Sequence, residues 1–350
     1  MSELNPHIVR RDFRRQLLNT VSALALIGVV AAGHAKAADG EPLMWIELGG
    51  EYSQANIDQD VFLPPFLSAS KFGDASQTSL QKPPRSSWDG TAKISFALPG
   101  SDWMLSASVL YGKNSKNKSQ ELVTANPTSG GFNYNAYQDH AAKSSESHTV
   151  LDFQVGRDFG LGMFGSSSTS RLSVGLRYAQ FNSRNSINIQ SQPTNANYFY
   201  HRFYASFAAD RKFIGVGPSL AWEASANLLG NPSAGHFTFD WGANGAVLFG
   251  RQRIRAHHQV TDDHTTFSQV QQHRHIVYDT SVSPSRNRNT IVPDLGGFAG
   301  VSWCYPNAKV SVGYRGDFFF GAMDGGIDAA RRENVGFYGP FASVSVGLGG

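Results

Sequence analysis

The 350-residue sequence is poor in the features that mark several large classes of protein. Its single cysteine, Cys304, excludes an intrachain disulfide and a cysteine-based zinc module. Charged residues make up 16% of the chain, whereas ordinary soluble domains contain about a quarter. The sequence has no collagen-like glycine period, no heptad repeat and only one long apolar run. These absences exclude a collagen, a coiled coil and a helical membrane bundle.

The one long apolar run lies near the N-terminus and belongs to a predicted secretory signal peptide over residues 1–37. Four arginines between residues 10 and 15 precede the apolar residues 17–32, and Ala35-Lys36-Ala37 supplies an A-x-A cleavage pattern. We predict cleavage near Ala37, which leaves a mature domain over residues 38–350. A retained membrane anchor is the alternative, but polar residues interrupt the run, which falls short of the ~20 apolar residues of a membrane-spanning helix.

The net charge of +3 belongs to this signal peptide. The peptide contains five of the 30 basic residues and two of the 27 acidic residues, which leaves 25 of each in the mature domain. A neutral mature chain has no basic surplus with which to attract nucleic acid. We therefore expect no nucleic-acid partner.

Beyond the signal peptide, the dominant sequence period is two. In ten segments, apolar residues alternate with glycine, serine, threonine or single charged residues. The segments cover residues 44–52, 91–98, 103–112, 151–156, 172–178, 214–223, 237–249, 294–303, 310–320 and 341–348. Such alternation is typical of a strand with one apolar and one polar face. Because no segment has a convincing helical period, the sequence predicts an all-β fold.

Three features favour a membrane barrel over a secreted soluble β-protein. The segments suit the ~9–11 residues with which a tilted strand crosses a bilayer, whereas soluble strands are most often about five or six residues long. Aromatic residues near the ends of the apolar faces indicate interface girdles. They are Tyr52, Trp103, Tyr111, Trp222, Trp241, Trp303 and Tyr314. Connections also alternate between short and long, as periplasmic turns and external loops do. The long connections are residues 53–88, 113–147, 182–211 and 250–290.

We therefore predict a transmembrane antiparallel up-and-down β-barrel of about ten strands, with eight or twelve as the alternatives. Because lipid offers the backbone no hydrogen-bond partners, the barrel must close on itself. Met44–Tyr52 is thus expected to pair with Ala342–Leu348. Pro218 lacks a ladder donor within the sixth segment, which predicts a bulge or a shifted register there.

Five sequence blocks, mostly in the C-terminal half, carry a resemblance to a known family. The blocks are Gly175–Phe181, Phe213–Pro218, Gly313–Phe319, Asp324–Asp328 and Gly336–Phe341. Together they are similar to the Legionella-type major outer membrane protein family. The resemblance implies a pore-forming protein of a Gram-negative outer membrane, with adhesion as a further role. Its partners would be outer-membrane lipid, the barrel-assembly machinery, and small hydrophilic solutes or ions.

Ten charged residues are predicted to face the interior, where they are candidates for lining a lumen. They are Glu47, Lys93, Asp152, Arg177, Glu223, Asp240, Asp294, Lys309, Arg315 and Asp317. In an open barrel they would set the selectivity of a water-filled pore. Alternatively, they pair across a narrow lumen and close it, because open channels are typical of about sixteen strands rather than ten.

Two functions follow from these alternatives. The first is passive diffusion of small hydrophilic solutes through an outer-membrane pore, without catalysis and without a cofactor. The second is a non-conducting barrel that acts in surface adhesion, or in a structural role, through its external loops.

Histidines and acidic residues are the remaining candidates for chemistry. The segment 250–290 contains His257, His258, His264, His273 and His275 with Asp262 and Asp263. We interpret it as a solvated loop rather than a transition-metal site, because no predicted strand fixes the ligand geometry. Asp324–Asp328 is interpreted as a glycine-rich hairpin tip rather than a calcium site. His148 and His236 stand at strand ends without a recognisable serine–acid constellation, so no enzyme activity is predicted.

Overall fold

The computed structural model describes residues 43–57, 86–129, 132–159, 169–193, 198–231, 234–266, 274–325 and 332–349. The predicted signal peptide lies outside these described residues, as do His273 and most of the segment Asp324–Asp328. Within the described part of the chain, no helix is long and apolar enough to cross a membrane.

The described residues form eleven strands. The strands are β1 (Met44–Ile57), β2 (Ser86–Ala97), β3 (Trp103–Ser129), β4 (Phe132–Asp158), β5 (Thr169–Pro193), β6 (Tyr198–Asn231), β7 (Gly235–Thr266), β8 (Arg274–Val282), β9 (Ser285–Tyr305), β10 (Ala308–Asp324) and β11 (Arg332–Leu348). Every pairing between them is antiparallel, and the hydrogen bonds of β1 with β11 and of β6 with β7 close the sheet into a barrel. The predicted all-β antiparallel barrel is therefore confirmed.

The wall of the barrel contains ten strands, because β8 and β9 occupy one position in it. Strand β7 pairs His258 with Val282 of β8 and Arg255 with Ser285 of β9, in one unbroken register. Ser283 and Pro284 only interrupt this strand, and the amide of Ala256 still donates to the carbonyl of Pro284 at 3.0 Å. The predicted number of ten wall strands is confirmed.

The predicted pairing of the first and last strands is also confirmed. Met44 pairs with Leu348, and the ladder continues upward until Ile57 pairs with Val335. This ladder leaves the wall without an open edge, as the bilayer requires.

The strand registers fix the width of the barrel. Successive partners lead from Trp45 round the wall and back to Ile57 of the same strand, through Ser95, Ser106, Gln154, Gly175, Ser219, Ala246, Asp294, Phe319 and Val335. The offset from 45 to 57 is a shear of 12 residues. Ten strands with this shear tilt by about 40° around a backbone cylinder of about 10 Å radius. Side chains that point into so narrow a cylinder meet one another.

The lower part of the barrel carries an apolar belt on its outside. Large apolar side chains near the middle of this belt are 42% to 62% exposed and include Leu48, Phe153, Leu176, Leu220, Val247, Leu295, Val312 and Val344. Tyr52 and Trp88 pack against each other at its upper edge with ring centroids 5.1 Å apart, and Trp103 and Trp303 are exposed at its lower edge. An exposed belt bounded by aromatic rings is the lipid-facing surface of a transmembrane barrel.

The strands continue far above this belt and form an extension of the barrel. The described residues of the extension are 112–129, 132–148, 179–193, 198–213, 250–266 and 274–290. Most of the connections predicted at 113–147, 182–211 and 250–290 are therefore strand, and that prediction is corrected. The connection predicted at 53–88 lies mostly outside the described residues.

The alternation in the sequence did not predict the strands of the extension, because apolar residues that face outward in the lower barrel face inward there. On β5, Leu176 points outward and is 57% exposed, whereas Phe181 points inward and is 1% exposed. On β6, Val216 faces outward and Phe213 faces inward in the same way. An alternation that shifts by one residue looks like the end of a strand, although the backbone continues.

Pro218 causes no change of register, so the predicted bulge is wrong. It pairs with Leu176 of β5, and the register of β6 with β7 is the same at Val216–Phe249 and at Ser219–Ala246. The wall instead has a register shift between Phe319 and Met323 of β10, where Gly321 takes a φ of +67°. A proline costs one ladder donor, and the neighbouring strands here tolerate that loss without inserting a residue.

Candidate functional site

The interior of the barrel holds the candidate functional residues in successive layers. The lowest layer contains an ion pair between Lys93 of β2 and Glu223 of β6, 2.8 Å apart. These strands lie four positions apart in the wall, so the pair crosses the interior. Lys309 lies 2.7 Å from Asp240, and Glu47 accepts a hydrogen bond of 3.3 Å from Ser345.

The middle layer is organised around Arg177 of β5. Its Nε donates to Asp152 Oδ1 at 2.7 Å, and its Nη1 lies 2.8 Å from Asp294 Oδ2 on β9, three positions away in the wall. The same Nη1 donates to Asn244 at 2.8 Å, and the Asn244 amide donates to Asp317 at 3.3 Å. A buried guanidinium with partners on three other strands joins separate parts of the wall.

All ten predicted interior residues lie on the inner face of the barrel. Nine of them take part in the ion pairs and hydrogen bonds just described, and the Arg315 guanidinium lies 5.4 Å from the ring centroid of Phe341. The strand alternation identified which side these residues face. It did not identify their partners, because contacts across the interior join strands distant in the sequence.

A buried cluster above these layers was missed by the sequence analysis. Asp89 accepts hydrogen bonds from the hydroxyls of Ser53 and Ser87, the latter at 2.6 Å, and lies 3.0 Å from Nε2 of His148. The ring of His148 lies 3.8 Å from that of Phe337. Because both serine hydroxyls donate to the carboxylate rather than to the imidazole, the cluster is not arranged as a nucleophile–base pair. Ser87 and Asp89 occupy alternate positions of β2 that face the interior, and this alternation is the feature of the sequence that could have identified them.

Four phenylalanines pack together in the interior directly above this cluster. We define Phe181, Phe213, Phe319 and Phe337 as the aromatic layer. The ring centroid of Phe181 lies 4.7 Å from that of Phe319, and 5.7 Å from those of Phe213 and Phe337. All four are at most 3% exposed. Phe181 of β5 and Phe337 of β11 stand five wall strands apart in either direction, so their contact spans the full width of the barrel.

A second polar layer lies above the aromatic layer, inside the extension. Arg211 Nη1 of β6 lies 2.6 Å from Glu333 Oε2 of β11, and both side chains are at most 2% exposed. Gln252 donates to the carbonyl of Gly321 at 2.5 Å, which ties β7 to the bulge of β10. Arg286 donates to Asp324 at 2.8 Å, and this hydrogen bond raises the pKa of the guanidinium.

The histidine-rich segment is mainly strand, which corrects its interpretation as a loop. His257 and His258 lie on β7, where His257 Nδ1 is 2.8 Å from the Ser283 hydroxyl and the His258 ring is 4.6 Å from that of Phe207. His264 also lies on β7, with Asp262 and Asp263, and His275 lies on β8. In the described part of the chain, no three histidine, cysteine or acidic side chains group as metal ligands would.

The sequence matches a known family over most of its length. The family described as Legionella pneumophila major outer membrane protein precursor matches residues 86–347. This span covers every wall strand except β1. No curated protein matches the chain significantly.

Several solved outer-membrane barrels align with the chain at low identity. The outer membrane protease OmpT from Escherichia coli is 10% identical, with 88% of this chain and 94% of that chain covered and a TM-score of 0.34. The CymD monoaromatic hydrocarbon channel is 8% identical, with 89% of each chain covered and a TM-score of 0.22. The Ralstonia pickettii toluene transporter TbuX is 11% identical, with coverages of 91% and 93% and a TM-score of 0.18. Scores this low favour no function for this chain.

Proposed function

This chain belongs to the Legionella major outer membrane protein family, and we propose that it is an outer-membrane barrel whose interior is closed and which acts through its extension. The contact of Phe181 with Phe337 across the full width of the barrel carries this proposal. The role is structural or adhesive, and it requires no cofactor and no catalytic residue.

A closed interior follows from what a hydrated ion would meet there. The aromatic layer is buried, and Leu248, Val292 and Val335 pack into the same apolar cluster. An ion in such a layer would lose its hydration shell without gaining polar partners, which costs several kcal/mol or more. Hydrophobic constrictions stop conduction for this reason even where some space remains.

The extension offers the surface through which a closed barrel would act. Its outward face is polar, with Asn182, Arg184 and Lys212 above the belt on β5 and β6, while its interior has an apolar core of its own. A wall that is hydrogen-bonded on both sides and filled inside keeps a fixed shape. Such a rigid rim suits contact with another surface.

A gated pore for small hydrophilic solutes or ions is the second candidate function. The observation in its favour is that charged and polar groups line the interior both below and above the aromatic layer, from Lys93 and Glu223 to Arg211 and Glu333. In this alternative the ten interior charges would line the conducting path. The aromatic layer would be the gate.

Planar-bilayer recordings of the refolded barrel separate the two functions. The closed barrel predicts no discrete conductance steps for the unaltered protein or for Phe153→Ala/Phe249→Ala, which removes two rings from the outer face. Phe181→Ala/Phe337→Ala removes two rings from the aromatic layer, and steps confined to that variant would identify the layer as the block. Discrete steps from the unaltered protein would overturn the closed barrel in favour of the pore.

A further inference from the structure

The outer face of strands β6 and β7 carries a cluster of positive charge directly above the apolar belt. We define this basic cluster as Lys212, Arg251, Arg253 and Arg255. The belt ends one outward position below it, at Ile214 on β6 and Phe249 on β7, which are 37% and 56% exposed. The cluster therefore stands at the height at which lipid chains end and headgroups begin.

The strand register brings these cations close together. Lys212 is the direct partner of Arg253, which places their β-carbons about 5 Å apart. Arg251 and Arg255 lie two residues to either side of Arg253, so the cluster extends over about 13 Å of strand. Like charges directly opposite each other destabilise a strand pair. An anion between them would reverse that effect.

The protein supplies little negative charge to this surface. Asp210 is the direct partner of Arg255, but its carboxylate accepts a hydrogen bond of 2.8 Å from Arg184 on the neighbouring strand. Among the described residues, none of the four cations forms an ion pair, and the buried Nε of Arg253 has no hydrogen-bond partner. The protein itself therefore leaves the charge of these four side chains without a counter-ion, and a guanidinium gains from charged acceptors.

The directly opposed pair of outward cations, Lys212 and Arg253, lies on β6 and β7. The first outward residue above the belt is neutral on other described strands, for example Asn289 on β9 and Gln54 on β1. Lys113 on β3 is an exception, but its partner on β4 is Ser147 and no second cation stands opposite it. A general attraction to the membrane surface would not require four cations on adjacent strands.

We propose that the basic cluster binds the phosphate groups of a phosphorylated lipid headgroup in the outer leaflet. The arginine guanidinium groups donate paired hydrogen bonds to phosphate oxygens, and Lys212 adds a point charge beside them. Acyl chains of the same lipid would lie on Ile214, Phe249 and Ile291, whose outward side chains are all exposed at the top of the belt. The site does not depend on whether the interior conducts.

Binding of diphosphorylated lipid A to the refolded barrel in dodecyl maltoside micelles tests this site. Arg251→Gln/Arg255→Gln removes two exposed charges and is expected to weaken binding about twenty-fivefold, since each basic residue near an anionic headgroup contributes about fivefold. Lys113→Gln/Lys143→Gln removes the same charge from exposed positions on β3 and β4 and serves as the matched control, with a change below about twofold. Folding of each variant is checked by heat-modifiable migration on a gel.

Two further arms identify the source of the phosphate. Lipid A from which both phosphates have been removed is expected to bind as weakly as diphosphorylated lipid A binds the arginine variant. Inorganic phosphate is expected to leave lipid binding unchanged. Equal losses in the arginine and lysine variants, equal binding of the dephosphorylated lipid, or displacement by inorganic phosphate would each overturn the proposal.

Discussion

The lower barrel and the extension are built from the same strands, yet their insides and outsides are exchanged. In the lower barrel, Leu220 faces outward and Glu223 faces inward. In the extension, Phe207 faces inward and Lys212 faces outward. Apolar side chains turn toward lipid in one half and toward each other in the other half. The one-residue shift in the alternation of apolar residues therefore marks the level at which the surroundings of the barrel change from lipid to water.

The two halves are stabilised by different forces as a result. In the extension, the hydrophobic effect drives Phe181, Phe213 and Phe207 into apolar cores, as in a soluble barrel. In the lower barrel, lipid already accepts the apolar side chains, so ion pairs and hydrogen bonds such as those of Arg177 must satisfy the interior. Substitutions of one chemical type should consequently have different effects in the two halves.

The largest expected effect is the loss of an aromatic side chain from the core of the extension. Phe181→Ala should lower the free energy of unfolding by about 4 kcal/mol, because it leaves a cavity between opposite walls. Phe153→Ala removes the same ring from the lipid face and should cost less than about half of that, since lipid chains fill the space. Urea titration of the barrel in phosphatidylcholine vesicles measures both. Equal losses would contradict a packed core in the extension.

Breaking the buried ion pair of the extension should have the next largest effect. Glu333→Gln removes the buried carboxylate charge 2.6 Å from the Arg211 guanidinium and should cost about 3 kcal/mol. Glu223→Gln breaks the partly exposed pair with Lys93, whose side chains are 29% and 32% exposed, and should cost about 1 kcal/mol. The same titration ranks the two variants. A larger loss for Glu223→Gln would reverse the comparison.

A charge added to the outer face should locate the boundary between the halves. Leu220→Arg places a charge in the middle of the apolar belt and should cost about 2 kcal/mol. Ser206→Arg lies on the outer face of the same strand, within the extension, and should change stability by less than about 0.5 kcal/mol. If Ser206→Arg lowered the free energy of unfolding as much as Leu220→Arg, the lipid would extend above the apolar belt.

The smallest expected effect is the loss of a surface ion pair in the extension. Arg184 and Asp210 lie 2.8 Å apart, but their side chains are 55% and 46% exposed. Asp210→Asn should therefore change the free energy of unfolding by less than about 0.5 kcal/mol. Raising the salt concentration should leave the difference between the two proteins unchanged. A loss comparable to that of Glu333→Gln would show that the outer face of the extension is shielded from water.

The lower barrel could be predicted from the sequence because its signal is local. Alternation identified the outward face of each strand, for example Val174 and Leu176 on β5, and closure then followed from the bilayer. The same alternation assigned Asp152 and Arg177 to the interior. Each of these inferences needs only the residues next to one another in the sequence and the fact that the outer face meets lipid.

The extension and the interior contacts could not be predicted in the same way. On β10, Phe318 and Phe320 face outward, so the alternation gave no reason to single out Phe319, although its ring packs against Phe181 in the aromatic layer. The pair of Arg177 and Asp294 depends on the shear of the whole barrel, which no single segment records. The histidine-rich segment was interpreted as a loop because no strand was predicted there, and its outward residues, from Arg251 to His257, are polar rather than apolar.

The ladder between β1 and β11 has a consequence for how the barrel folds. Met44 meets Leu348, so this ladder joins the parts of the wall that are most distant along the chain, whereas most other ladders join successive strands through short connections. Closing so long a loop has the highest entropic cost, and contacts of this kind form late. Until they form, both terminal strands present free edges that can pair with other chains. The rate at which these two strands meet therefore decides how long the unfinished sheet is exposed to aggregation.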